Sequence, residues 1–83
     1  MSLIARSPKQ IGSIIQNLRQ RRGLTQTQLA DLAGARQEMV SIIERGHPGA
    51  KLSLIFDLLA ALDLELSLQP RSKGPATEAL DIF

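Results

Sequence analysis

Cysteine is absent from the 83-residue chain, which rules out disulfide staples, thiolate metal sites and cysteine nucleophiles. Tryptophan and tyrosine are absent too, and phenylalanine occurs only twice. The aromatic platforms on which single-stranded nucleic acid stacks therefore have no material to be built from. The one histidine, His47, sits beside a Pro-Gly turn with no serine or carboxylate placed to form a nucleophile–base pair. No metal-ligand spacing is present, so neither an enzyme nor a cofactor is expected. Long apolar runs are missing, and MSLIARSPK is too short and too soon interrupted by charge to be a signal peptide. A basic membrane-surface helix would need an aromatic-rich apolar face, which is lacking. The expected location is the cytoplasm.

What remains is a chain sized for one domain with a modest core. The net charge is only +2 but is unevenly spread. Residues 1–51 carry eight Lys/Arg against three acids, whereas residues 52–83 carry two against five. A basic front half suits a polyanion, and the acidic rear suits a different partner. The competing reading is an ordinary solvated surface.

Four helical segments are expected. Ser7-Pro8-Lys9-Gln10 combines a cap, a first-turn proline and a residue that reaches back, and Ile11, Ile14, Ile15 and Leu18 follow at helical spacing until Gly23. Thr25 and Gln28 form a second capping pair, ahead of an inward face of Leu29, Leu32 and Ala33 that Gly34 ends. A third helix starts near Ala35–Arg36, buries Val40 and Ile43 and stops at Gly46. Ser53 is placed to cap a fourth, with Leu54, Leu58, Leu59 and Leu62 as its core stripe.

After Asp63 the period changes. Leu64-Glu65-Leu66-Ser67-Leu68-Gln69-Pro70 alternates strictly, which predicts a strand with one apolar face. No other stretch reads as a strand, so Leu64, Leu66 and Leu68 are expected to meet the same residues of a second chain across a two-fold axis. A frayed extension of the fourth helix is the alternative. Residues 71–83 mix turn-formers and charge but close on Leu80, Ile82 and Phe83, either a docking peptide for a partner or an ordinary frayed end. The expected domains are thus 1–63, a dimerisation strand at 64–70 and a flexible tail at 71–83.

Two short helices joined by a glycine fit a helix-turn-helix. A small residue, Ala30, lets the second helix approach the third, and Gly34 provides the tight turn between them. Arg36, Gln37, Glu38, Ser41 and Ile42 are left on the outer and leading faces of the third helix. The leading end of such a helix enters the major groove, where Arg matches guanine, Gln matches adenine and Glu accepts from cytosine. Ile42 is placed for a thymine methyl. Thr25 and Gln26 stand where the second helix meets the phosphate backbone, and Arg45, His47 and Lys51 flank the next turn as further phosphate contacts.

The stretch RQRRGLTQTQLADLAGARQEMVSIIERG resembles the XRE type of phage-repressor-like helix-turn-helix domain. That resemblance implies an all-α, lambda-repressor-like bundle of four to five helices that binds operator DNA as a homodimer. It also implies an ion pair between Arg19 and Glu44, phosphate contacts from Gln26 and Ser41, and base reading by residues 36–38. Ile42 and Glu38 depart from the residues usual at their positions, which leaves the operator sequence open. LSLIFDLLAALDLELSLQP, a fourth helix running straight into a leucine-alternating strand, is similar to the layout of HipB-type antitoxins. This narrower likeness implies a dimer sealed by paired strands, repression of its own operon and a HipA-type serine/threonine kinase toxin as partner. The alternatives are a stand-alone phage-type or restriction–modification controller repressor, and an interaction module that no longer binds DNA.

Overall fold

Each helix starts and stops where local chemistry directs it. Ser7 Oγ accepts from the Gln10 amide at 3.1 Å, and Pro8 opens the first helix, α1 (Pro8–Arg21). Gln10 does reach back, but its Oε1 accepts from the Arg6 amide, one residue before the cap. Thr25 opens α2 (Gln26–Ala33) with a complete capping box: its hydroxyl accepts from the Gln28 amide at 3.1 Å, and Gln28 Oε1 accepts from the Thr25 amide at 2.8 Å. Gly34, at φ 70°, ends α2 in the left-handed conformation that costs glycine least. Helix α3 (Gln37–Glu44) follows, with Arg36 at its cap position, and α4 (Leu52–Ala61) completes the set. The computed structural model describes residues 3–71, and among them the architecture is all-α, with four helices and no strand.

The core is one cluster to which every helix contributes. Ile15 comes from α1, Leu29 and Ala30 from α2, Val40 and Ile43 from α3, and Leu58 and Leu59 from α4, with Leu62 just past its end. Helix α3 packs on α1 and α2, and α2 packs on α4, so the recognition-type pair α2–α3 sits on a rigid base. Ala30 is buried in the core cluster. Leu32 is not: it is 63% exposed, and Ala30 takes the inward position instead. At about two turns, α2 has too few residues for apolar spacing alone to fix its phase.

One further expectation is corrected, and the alternative of a frayed fourth helix is set aside. Ser53 does not cap α4; it lies inside the first turn, and Lys51 holds the cap position without a side-chain bond. The helix does not fray onward past Leu62 either. Asp63 takes φ 59°, its amide donates to Ala60 O at 3.0 Å, and the Leu64 amide returns to Leu59 O at 2.8 Å. This is the double bond of a Schellman stop, with aspartate in the left-handed position it tolerates better than most residues. Residues 64–71 therefore leave the helix at a defined point and carry no helical or sheet pairing among the described residues. Leu64 packs on the core, and Leu68 is 89% exposed. Leu80, Ile82 and Phe83, expected to form a docking end, lie outside the described residues. No helix among the described residues is long and apolar enough to cross a membrane.

Candidate nucleic-acid interface

The site is built outward from a buried ion pair. Arg19 and Glu44 are 8% and 7% exposed, and they meet in a fork: Arg19 Nε donates to Glu44 Oε2 at 2.6 Å, and Nη2 donates to Oε1 at 3.0 Å. Arg19 Nη1 also donates to Leu24 O at 2.8 Å, tying the end of α1 to the entry of α2. The pair thereby joins α1 to the end of α3 and leaves no buried side-chain nitrogen or oxygen unpartnered among the described residues.

From Glu44 the bonding runs outward. Gln26 Nε2 donates to Glu44 Oε1 at 3.0 Å, and Gln37 Nε2 donates to Gln26 Oε1 at 2.6 Å. Four side chains from three helices thus form one line: Arg19, Glu44, Gln26, Gln37. The sequence suggested Gln26 and Gln37 separately and gave no reason to join them. The joint depends on how α2 crosses α3, which no local pattern records. What the line leaves free is informative. Gln37 spends one amide proton on Gln26 and keeps a second proton and its carbonyl oxygen, the donor and acceptor that a two-bond contact to adenine requires. Gln26 likewise keeps one amide proton, at the start of α2 where the helix amides favour an anion.

The other candidates lie around this line. Arg36, Gln37 and Glu38 are exposed at the leading end of α3. Glu38, in the first turn, also has a structural use, since a carboxylate there favours the helix dipole. Arg36, Ile42, His47 and Lys51 line a groove of about 590 Å³ between α3 and α4. Met39 lines the same groove, one turn from Arg36 and one turn from Ile42. The sequence reading did not single it out; its i±3 relation to two candidate contacts was the available signal. The Gly49 amide donates to His47 Nδ1 at 2.9 Å, so neutral His47 carries its proton on Nε2, free to donate to a phosphate. Thr25 is exposed and Ser41 half-buried. Arg45 is exposed at the far cap of α3 and does not line the groove.

With this geometry in place, the relatives can be described. Residues 15–69 match the Helix-turn-helix family model, about two thirds of the chain, and the chain belongs to that family, in its XRE type. Two kinds of relative stand out by sequence. An HTH-type transcriptional regulator of Haemophilus influenzae is 40% identical over 52 residues, covering 63% of this chain and 53% of that protein. Antitoxin HipB of Escherichia coli K12 is 32% identical over 62 residues, covering 75% of this chain and 70% of HipB. Among solved structures, HipB in a complex with an O2 20mer superposes with a TM-score of 0.76 at 29% identity, covering 82% of this chain and 94% of that one. HipB in a HipA–HipB–O2–O3 complex gives 0.74 at 31% identity, covering 78% of this chain and 92% of that one. The chain spans about half the length of the H. influenzae regulator.

Proposed function

We propose that the protein is a sequence-specific DNA-binding repressor of the HipB antitoxin type. On this reading it acts as a homodimer on a near-palindromic operator upstream of its own gene, and it binds a HipA-type serine/threonine kinase toxin. The observation that carries the reading is the line Arg19–Glu44–Gln26–Gln37, which holds a base-reading amide and a phosphate-reading amide in fixed relation before any DNA arrives. Two copies would set their α3 helices into successive major grooves, about 34–36 Å apart. Arg36, Gln37, Glu38 and Ile42 would read base edges. Thr25, Gln26, Ser41, Arg45, His47 and Lys51 would hold phosphates and so set register and salt sensitivity. The similarity to HipB, solved in complexes named for HipA, supports the partner. The similarity to an HTH-type transcriptional regulator supports a second reading, a stand-alone repressor, which a neighbouring kinase gene or a co-purifying kinase would displace.

Titration of fluorescent palindromic duplexes at two salt concentrations tests DNA binding, and the absence of salt-dependent binding would leave only a non-DNA interaction module. Arg36→Ala and Gln37→Ala are each expected to cost about 1–3 kcal/mol and to relax preference at one base position. Lys51→Ala should instead weaken every duplex alike and reduce the salt slope by about 1. A uniform loss for Arg36→Ala would move that residue to the phosphate set.

The dimer has its own test. Leu64, Leu66 and Leu68 are proposed to pair across the two-fold axis, and Leu66→Glu would put two like charges into that seam. Sedimentation should then report a monomer with unchanged helical content. A mass equal to the parent's would reject the strand pairing.

A further inference from the structure

The two ends of the described chain lie together. Residues 3–6 and residues 67–71, distant in sequence, face each other across a cavity of about 430 Å³. The first segment contributes Leu3, Ile4 and Arg6, and the second contributes Leu68, Pro70 and Arg71. No backbone hydrogen bond joins the two segments among the described residues. The side chains on both flanks are open to solvent: Leu3, Ile4 and Leu66 are each about half exposed, and Leu68 is almost entirely so.

We infer that this cavity receives residues 64–70 of a second copy, so that Leu3 and Ile4 belong to the dimer seam. The inference rests on the dimer reading above and extends it. Three observations lead to the second copy. First, residues 65–70 are exposed and make no backbone hydrogen bond among the described residues, and a segment slotted between two others finds partners on both edges, with neighbours about 4.8 Å away on either side. Second, the cavity lining holds two arginines and no acid, whereas the entering segment brings Glu65, with Asp63 just before it, and no basic residue. Third, the arrangement closes under two-fold symmetry. The order across the assembly becomes residues 3–6, the partner's 64–70, residues 64–70, and the partner's 3–6, so each copy gives and receives the same contact. The outer segments then cover the edges that a two-stranded ribbon would leave bare.

The test is a Leu3→Asp/Ile4→Asp double variant of the full chain, read by sedimentation equilibrium. Both side chains are exposed in the single chain and lie outside the helices, so helical content is expected to stay at the parent's level. The dimer dissociation constant should rise at least tenfold, because two buried apolar contacts per copy are replaced by carboxylates facing Glu65. A dissociation constant equal to the parent's, with the parent dimeric, overturns the inference and leaves the central strand pairing intact. A parent that is monomeric at every concentration overturns both. Amide hydrogen exchange of the parent supplies the second readout. Protection at residues 3–6 should appear with rising protein concentration, in step with dimerisation. Protection independent of concentration would mean that residues 3–6 are covered within the single chain, and no protection in the dimer would mean that nothing covers them; either result overturns the inference.

Discussion

Glu44→Ala is expected to lower the unfolding free energy by about 3–5 kcal/mol, the cost of leaving a buried charge without its partner. Arg19 is 8% exposed and directs two of its donors at Glu44, so removing the carboxylate strands a guanidinium that water reaches poorly. For a domain of this size that is a large share of the total, which falls at the low end of about 5–15 kcal/mol. Chemical denaturation monitored by helical circular dichroism measures it, and a loss under about 1 kcal/mol would mean that the pair is solvated after all. On the proposed function the pair also fixes Gln26, a role that a double variant separates from the first. Arg19→Met/Glu44→Leu replaces both charges by apolar groups of similar volume, a change that is often neutral in other proteins. Stability should return to within about 1–2 kcal/mol of the parent, the remainder reflecting the Leu24 carbonyl that loses its donor. DNA binding should not return with it, because Gln26 would still lack the oxygen that fixes its amide at 3.0 Å. Full recovery of operator affinity in the double variant would reduce Glu44 to a structural residue.

How much of this was legible beforehand depended on distance along the chain. The caps at Ser7 and Thr25, the capping partner Gln28 and the turn at Gly34 were readable because each is settled within a few residues. The inward phase of α2 was not, and neither was the start of α4. Which of Leu29, Ala30, Leu32 and Ala33 turned inward was set by the surfaces of α3 and α4, not by α2's own pattern. Lys51 stands at the head of α4 although Ser53 is the better capping residue in isolation, a case of packing overriding propensity. For the site, residue types announced the chemistry: amides and a guanidinium at the head of a short helix. The bonds between them did not show, since Gln26 to Gln37 and Gln26 to Glu44 span different helices. Arg19 with Glu44 was expected only because the chain resembled a family that has such a pair. The approach of residues 3–6 to residues 67–71 left no trace in any local pattern.

Gly12→Ala is expected to destabilise, against the usual sign for its setting. Inside a helix, alanine is normally favoured over glycine by about 1 kcal/mol. At position 12, however, a Cβ would lie 2.2 Å from Ile43 O and 2.9 Å from Glu44 O. Both are backbone oxygens in the last turn of α3, so no side chain can rotate away; α1 and α3 must separate. Separation would loosen Ile15 in the core and stretch the Arg19–Glu44 fork, which lie one and two turns further along α1. A net loss of about 2–3 kcal/mol follows, the overpacking cost exceeding the gain in helix propensity. Gly34→Ala is the control. Gly34 has φ 70° but nothing within 4 Å of its missing Cβ, so only backbone strain of about 1–2 kcal/mol is at stake there. The two variants should also differ in function. Gly12→Ala moves the helix that holds Arg19 and should weaken operator binding even at temperatures where the domain remains folded. A raised denaturation midpoint for Gly12→Ala would show that the helices have room to spare, and the fixed relation between α1 and the end of α3 on which the proposed DNA-reading geometry depends would go with it.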